Sequence, residues 1–219
     1  KGADEGPFSV AIAYTADRGL EFLETELTAN PSGDGAKDLD NITYEWDVGE
    51  GGSVVSPPVD ARTVTVRWTT YGAHSATVTA RHGTDSASDT KSGTFKVGAR
   101  RVHVSLEGDG TWPYASWESA SSNLVDVLKT LVTASGEKVE IVVADGTYPI
   151  DGTWAEVQEN VYLHSVNGPA STTLKARKNT STYNRVMLVN HGDAVVEGFT
   201  MTGGHCNNFS GDGGGPGGL

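Results

Sequence analysis

Four aspartates stand close together in the first quarter of the chain, at Asp34, Asp38, Asp40 and Asp47. Carboxylate oxygens are the ligands that Ca²⁺ prefers in proteins. The group is therefore a candidate calcium site, and calcium is the one cofactor that the sequence suggests. Its spacing matches no EF-hand loop, so the alternative interpretation is an acidic loop exposed to solvent, the ordinary place for carboxylates.

Four aromatic residues in the second half could contact a ligand: Trp112, Tyr114, Trp117 and Trp154. Aromatic rings combine a large apolar face with a polar edge, which makes these residues candidates for stacking against the sugar rings of a glycan. The alternative is that they pack around a nearby helix and cover the end of an apolar core.

The sequence contains no pattern of a catalytic centre, and we assign no catalytic residue. A Gly-x-Ser-x-Gly elbow, a Walker loop, zinc-spaced His and Cys residues and a dinucleotide fingerprint are all missing. Four further aspartates each adjoin a glycine, as is common in turns: Asp145, Asp151, Asp193 and Asp212. Lys175, Arg177 and Lys178 form one basic cluster, which we interpret as a solvated edge rather than a catalytic base or a clamp for uronates.

Histidines and cysteines are few. His164, His191 and His205 follow one another along the repeating segments, at spacings of 27 and 14 residues. They predict a ladder of stacked rings, a metal site or, more simply, separate surface histidines. Cys206 is the only cysteine, so an internal disulfide is excluded, and we interpret its thiol as inert.

The chain is acidic, with a formal net charge of −12 and a pI of about 4.8. Such a surface repels the phosphates of nucleic acids and anionic lipids, so we exclude nucleic acid as a partner. No apolar stretch is long enough to cross a bilayer, and we expect no membrane insertion. Residues 1–5 do not resemble an export leader, and we expect any signal peptide to be absent from this sequence.

Apolar and polar residues alternate through residues 8–97, which indicates strands with one buried face. The alternating apolar positions are Phe8, Val10, Ile12, Tyr14, Leu23, Leu27, Ala29, Ile42, Tyr44, Trp46, Val48, Val64, Val66, Trp68, Ala76, Val78, Ala80, Phe95 and Val97. Turn clusters separate them at residues 30–35, 49–52, 56–58 and 82–85. About six or seven short strands with these turns predict a β-sandwich.

Two segments of this half resemble the signatures of the PKD-domain family. Residues 40–51 (DNITYEWDVGEG) are similar to its aromatic-x-Trp-Asp-aromatic-Gly-Asp-Gly run, although Val48 and Glu50 depart from it. Residues 66–80 (VRWTTYGAHSATVTA) are similar to its Tyr-x-x-x-Gly-x-(Tyr/His)-x-Val-x-Val run. The resemblance covers about residues 7–98 and implies a sandwich whose core contains Trp46. Some PKD-like domains bind calcium and others do not.

The second half has a different pattern, which begins after the short polar linker at residues 98–101. A helical stripe comes first, at Ala120, Leu124, Val127, Leu128 and Leu131. Ser121 or Ser122 is its predicted N-cap, and Gly136 lies just past its predicted end. Strand-like segments then recur about every 20–30 residues, which predicts the stacked coils of a solenoid.

This half resembles the opening of right-handed parallel β-helix proteins of the pectate-lyase-like superfamily. Residues 110–120, 144–148 (ADGTY) and 196–204 (VEGFTMTGG) are similar to the entry segment, the first turn and a recurring coil. The resemblance implies that the helix covers the open end of the first coil and that any catalytic site lies on later coils. The Gly-rich residues 211–219 do not resemble a solenoid cap, so we expect the native protein to continue past Leu219.

We therefore predict an all-β protein with an Ig-like/PKD β-sandwich over residues 1–98. Residues 99–219 are predicted to form a short capping α-helix and the N-terminal coils of a right-handed parallel β-helix. The predicted function is a non-catalytic segment of a large secreted or cell-surface bacterial protein, serving as a spacer, adhesion or glycan-contact module. The alternatives are the N-terminal part of a polysaccharide lyase or glycoside hydrolase, and a carbohydrate-binding module. The expected partners are a glycan or a cell-surface protein, and a monomer is expected.

Overall fold

The computed structural model describes residues 6–56, 58–151, 154–177 and 185–204. The chain divides into two compact units, Lys1–Gly98 and Ala99–Leu219. Several positions singled out in the sequence lie outside the described residues, namely Lys178, His205, Cys206 and residues 211–219 with Asp212.

The N-terminal unit contains two four-stranded sheets. The first has the order β1-β3-β6-β5 and is antiparallel throughout, with β1 at Ser9–Tyr14, β3 at Leu23–Ser32, β5 at Gly52–Ser56 and β6 at Thr63–Trp68. The second has the order β2-β8-β7-β4, with β2 at Arg18–Leu20, β4 at Ile42–Asp47, β7 at Gly72–His82 and β8 at Asp85–Gly98. Its β2 pairs with β8 in parallel, and the other pairs are antiparallel.

The alternating pattern correctly predicts the buried face of these strands, except at the end of β1, where Tyr14 is 42% exposed. In β4, Ile42, Tyr44 and Trp46 are buried and the residues between them are exposed. Trp68 of β6 is fully buried, and its ring stacks on that of Phe95 from the other sheet with centroids 4.7 Å apart. The two sheets therefore share one apolar core, as a β-sandwich requires.

The β7–β8 hairpin extends far beyond the apolar pattern. Residues 85–94 contain no large apolar side chain, and the alternation predicted no strand there. Hydroxyl pairs instead join the two strands, with Thr77 and Thr90 2.9 Å apart at their Oγ1 atoms and Thr79 Oγ1 2.9 Å from Ser88 Oγ. The predicted turn at residues 82–85 closes this hairpin.

The predicted turn at residues 30–35 begins later than expected, because β3 continues through Pro31 to Ser32. Pro31 lies opposite Val10 of β1. The pairing of β3 with β6 ends at Thr28. Pro31 therefore has no partner strand on the β6 side, and the N–H that proline lacks is not needed for a hydrogen bond there.

The C-terminal unit consists of one helix and nine strands among the described residues. The strands are β9 (Arg101–Val104), β10 (Val139–Val143), β11 (Gly146–Ile150), β12 (Ala155–Val157), β13 (Val161–Ser165), β14 (Thr172–Ala176), β15 (Met187–Val189), β16 (Val195–Glu197) and β17 (Thr200–Thr202). They form three sheets, β9-β10-β13-β16, β11-β14-β17 and β12-β15, in which every pair is parallel. From β10 onward the chain enters the three sheets in rotation.

The register keeps similar side chains in line from strand to strand. Ile141 of β10 is aligned with Leu163 of β13, and Tyr148 of β11 with Leu174 of β14. All four side chains are fully buried. The core of this unit is thus a stack of apolar side chains from successive parallel strands.

The helix α1 (Leu124–Thr130) begins later than the sequence predicts, and neither predicted serine caps it. The side-chain oxygen of Asn123 accepts hydrogen bonds from the backbone N–H groups of Val125 and Asp126, at 3.0 and 3.4 Å. Ser121 is held in an extended bridge with Val104 of β9, so its backbone cannot enter the helix.

The helix also ends earlier than the apolar stripe predicts. Leu131 follows it with extended backbone angles, φ −60° and ψ 129°, so Gly136 does not terminate the helix. Among the described residues, no helix could span a lipid bilayer.

Candidate functional site

The sheet β9-β10-β13-β16 carries polar and aromatic side chains on the side that points away from the core. Ile141 and Leu163 point into the core, so their neighbours along each strand point outward. We call these outward side chains the outer face: Arg101 and His103 of β9, Glu140 and Val142 of β10, Tyr162 and His164 of β13, and Glu197 of β16.

Glu140 links three strands of the outer face. Its Oε2 lies 2.5 Å from Nε of Arg101, and its Oε1 lies 3.0 Å from Nε2 of His164. The Glu140 side chain is 27% exposed, so the ion pair with Arg101 is partly shielded from solvent. Each carboxylate oxygen has its own partner, and the side chain is fixed in one orientation.

Tyr162 links the next two strands. Its hydroxyl donates a hydrogen bond to Oε1 of Glu197. Its ring stacks on that of His164, with centroids 4.4 Å apart and an interplanar angle of 20°. Through this stacked pair, the contacts of Glu140 and of Glu197 form one network across all four strands.

The network sets the protonation of two of its members. Burial raises the pKa of Glu140, but the hydrogen bonds from His164 and Arg101 outweigh burial, and the pKa falls below its ordinary value. The hydrogen bond to Glu197 raises the pKa of Tyr162, because the phenolate could not donate it. At neutral pH Glu140 is therefore ionised, and Tyr162 is a neutral donor.

Residues 105–121 cover the free edge of β9. The backbone N–H of His103 donates to the carbonyl oxygen of Tyr114 at 2.8 Å, and the N–H of Ser121 donates to the carbonyl oxygen of His103 at 3.2 Å. This segment places the ring of Trp117 edge-on to the His103 ring, 4.5 Å between centroids at 65°. Trp117 is 41% exposed, so the outer face is extended at this edge by an accessible indole.

Of the four predicted aromatic residues, only Trp117 joins the outer face. Tyr114 is buried, and the indole N–H of Trp112 donates to the carbonyl oxygen of Thr130 at the end of α1, at 3.2 Å. Trp154 precedes β12 in another sheet, and the Arg185 guanidinium lies 5.8 Å from its ring centroid. Glycan stacking stays a prediction for these residues, and the burial of Tyr114 favours packing there.

Comparison with known proteins identifies the N-terminal unit. The family model of the PKD domain matches residues 14–95. This part of the chain is a PKD-like domain, as the two signature segments predicted. No curated protein and no solved structure gave a significant match to the chain.

The structure places the predicted calcium ligands at the two ends of β4 in the PKD-like unit. Asp34, Asp38 and Asp40 precede this strand, whereas Asp47 is its last residue, about 20 Å away along an extended chain. Asp47 Oδ1 accepts a hydrogen bond from the backbone N–H of Gly49 at 2.9 Å.

Asp38 is already engaged by protein groups. Nδ2 of Asn41 lies 2.9 Å from both of its carboxylate oxygens, and Nε2 of His82 lies 3.3 Å from Oδ2. These contacts, the Asn41 bond first, lower the pKa of Asp38. Within the described part of the chain, no three His, Cys, Asp or Glu side chains are arranged to hold a metal ion. Calcium binding stays an untested prediction, and the arrangement of these aspartates does not favour it.

The two described histidines of the proposed ladder do not stack on each other. His164 lies on β13, where its partner in β16 is Glu197. His191 lies in the turn before β16, where its Nδ1 accepts a hydrogen bond from the backbone N–H of Asp193 at 3.2 Å.

The described part of the basic cluster borders a cleft on the sheet β11-β14-β17. The cleft has a volume of about 720 Å³, and its lining includes Thr147, Pro149, Lys175 and Arg177. Arg177 Nε lies 2.8 Å from Oδ1 of Asp151. The cleft therefore offers a cationic rim, part of which is neutralised by an aspartate.

Sequence reasoning did not single out Arg101, Glu140, Tyr162 or Glu197. These residues come from four separate strands, and only the parallel register makes them neighbours. A usable signal existed, because Glu140 and Tyr162 are the polar positions within short apolar runs. Such positions mark the outward side of a half-buried strand.

Proposed function

We propose that this chain is a non-catalytic segment of a secreted or cell-surface protein, with the PKD-like unit as a spacer and the C-terminal unit as a glycan-contact module. The match of residues 14–95 to the PKD family carries this proposal. PKD domains are typical of extracellular and surface proteins. An acidic surface with a net charge of −12 favours solubility in that setting.

The C-terminal unit is, in this proposal, the first part of a right-handed parallel β-helix. The rotation of the chain through three parallel sheets supports it. So does the alignment of buried residues such as Tyr148 and Leu174 on neighbouring strands. In a solenoid each coil buries its inner face against the next, which leaves the outward side chains free to contact a ligand.

The outer face favours ligand contact over general-acid catalysis. Its carboxylates are held by Arg101, His164 and Tyr162, and a catalytic acid would need a carboxyl whose pKa is raised. The pKa of Glu140 is instead lowered.

The test is to incubate the full chain with a panel of neutral and acidic polysaccharides and to measure binding and cleavage separately. Affinity electrophoresis reports binding. New reducing ends and the ultraviolet absorbance of unsaturated uronides report hydrolysis and elimination. We expect retardation by at least one polysaccharide without any cleavage product, and turnover by the purified chain would overturn the non-catalytic assignment.

A second candidate is the N-terminal part of a polysaccharide lyase or glycoside hydrolase. The cleft with Lys175 and Arg177 on its rim favours it, because cationic side chains bind acidic sugars and can serve as bases. In the same assay, retardation by an acidic polysaccharide that is lost in Lys175→Ala and kept in Lys129→Ala would support this candidate. Lys129 lies in the last turn of α1 and provides a matched loss of charge.

A further inference from the structure

We infer that the outer face and Trp117 together form a binding site for an uncharged glycan chain that runs across the strands. The inference rests on the proposed glycan contact and adds the site and the chemical class of the ligand.

The shape of the site suits an extended chain. The row begins at Trp117, which packs on His103, passes Val142 of β10 and reaches His164 and Glu197. His103 and Val142 are each only 8% exposed, so they support the row from below and the accessible contacts come from Trp117, Tyr162, His164 and Glu197. Parallel strands lie about 4.8 Å apart, so β9 to β16 spans roughly 14 Å. A row of this length can contact several consecutive sugar rings of one chain.

The apolar part of the row provides stacking area. Trp117 is 41% exposed although its ring is fixed against His103. Tyr162 and His164 are fixed against each other in the same way. Rings that are already ordered lose little conformational freedom when a ligand arrives, and aromatic rings combine apolar contact with a polar edge.

The polar part of the row provides acceptors for sugar hydroxyls. Glu140 is held by Arg101 and His164, yet an ionised carboxylate accepts about four hydrogen bonds in all. Glu197 uses Oε1 to accept from Tyr162, and within the described residues its Oε2 makes no hydrogen bond. These oxygens are therefore available to hydroxyl donors.

The charge of the site selects an uncharged ligand. Arg101 is neutralised by Glu140 at 2.5 Å, and Glu197 then leaves the outer face with an excess of negative charge. The whole chain carries a net charge of −12. A uronate or sulfate group placed over this row would face carboxylates at short range, a repulsion that a neutral sugar does not meet.

The experiment uses the full chain and two sets of probes, glucomannan and mixed-linkage β-glucan as neutral polysaccharides, polygalacturonate and alginate as acidic ones. Affinity electrophoresis gives the dissociation constant for each probe. The variants are Trp117→Ala, Tyr162→Ala and Glu197→Gln. Phe22→Ala is the matched control, because Phe22 is 47% exposed in the other unit. Circular dichroism and thermal melting show whether each variant is folded.

We expect the wild-type chain to bind a neutral probe more tightly than either acidic one. Trp117→Ala and Tyr162→Ala each weaken that binding by about tenfold, and Phe22→Ala leaves it unchanged. Glu197→Gln reduces the preference for neutral over acidic probes, because it removes the excess charge.

Several outcomes would overturn the inference. Preferential binding of polygalacturonate or alginate that is lost in Trp117→Ala and Tyr162→Ala would refute the ligand class. Neutral binding that survives both aromatic substitutions in folded variants would refute the location and leave the proposed function intact. An absence of binding to all four probes would refute the inference and the glycan-contact part of the proposed function together.

Discussion

Nε2 of His164 lies 3.0 Å from Oε1 of Glu140, although 24 residues separate the two in sequence. They come from neighbouring parallel strands, β13 and β10, and both point away from the core. The contact is possible because the register offsets them by two positions along the sheet, which brings outward side chains of adjacent strands within reach. Arg101 on β9 holds the other oxygen of the same carboxylate.

Glu140→Gln should lower the free energy of unfolding of the C-terminal unit at neutral pH. In acid the substitution should have no such effect. The folded-state pKa of Glu140 lies below its ordinary value of 4.5, so the ionised carboxylate stabilises the fold above that pH. This stabilisation disappears as the pH falls through the lowered pKa. We expect a loss of about 0.5–1 kcal/mol at pH 7, measured by urea denaturation. Glu107→Gln, on an exposed turn, is the control, and equal losses from both variants would contradict the prediction.

Trp68→Ala should strongly destabilise the PKD-like unit. Trp68 is fully buried, and its indole N–H donates to the Val48 carbonyl oxygen at 2.9 Å. Removing a buried aromatic side chain costs about 3–5 kcal/mol. Urea denaturation followed by far-ultraviolet circular dichroism measures it. Trp68→Phe should lose less stability, because it retains a ring beside Phe95. A loss of stability under about 1 kcal/mol for Trp68→Ala would be inconsistent with the packing described.

Asn123→Ala should destabilise the C-terminal unit by about 1 kcal/mol, the usual cost of losing an N-cap. Asn123→Ser should retain most of the stability, since its hydroxyl oxygen can accept the same bonds from the N–H groups of Val125 and Asp126. Ser122→Ala is the matched control, because Ser122 was one of the two predicted caps and Asn123 accepts the capping hydrogen bonds instead. If Ser122→Ala were the more harmful of the two alanine variants, the assignment of Asn123 as the cap would be wrong.

Alkaline conditions should unfold the C-terminal unit through Tyr148. Burial, with the nearby charge of Asp145, raises the pKa of Tyr148 to about 12. The neutral phenol is therefore favoured in the folded state, and stability is lost as the pH rises from about 10 towards 12. Its hydroxyl donates to the Ala144 carbonyl oxygen at 3.0 Å. Tyr148→Phe should lower the free energy of unfolding by about 1 kcal/mol at pH 7. Between pH 10 and 12 the variant should lose less stability than the wild-type chain, as measured by chemical denaturation.

Calcium should leave the melting temperature unchanged. Asp38 is engaged by Asn41 and His82, and Asp47 lies at the opposite end of β4 from the other three aspartates. A ligand that binds only the folded state raises its stability. Differential scanning calorimetry in millimolar calcium and in chelator makes the comparison, and a reproducible rise with calcium would contradict this prediction.

The sandwich could be predicted because each of its inner strands has one buried face. Alternation at Ile42, Tyr44 and Trp46 carries this information in a single segment of sequence. The strand at residues 85–94 could not be predicted in this way, because its pairs are hydroxyls such as Thr77 and Thr90. Serine and threonine are equally common in loops, so only the partner strand shows that these residues form a ladder.

The outer face could not be predicted for a related reason. Glu140 and Glu197 stand in different sequence contexts, and the register of parallel strands makes them members of one network.

The helix start illustrates the competition between local signals. Ser121 and Asn123 both suit an N-cap, and the bridge between Ser121 and Val104 decides in favour of Asn123.

The covering of β9 by residues 105–121 has a consequence for the behaviour of the protein in solution. An uncovered parallel strand exposes a template on which a second molecule can extend the sheet, the route by which β-rich proteins form fibrils. The backbone N–H and carbonyl oxygen of His103 are occupied by the carbonyl oxygen of Tyr114 and the N–H of Ser121, so this part of the template is not available. A variant in which this segment is deleted should therefore polymerise at concentrations at which the intact chain remains dispersed.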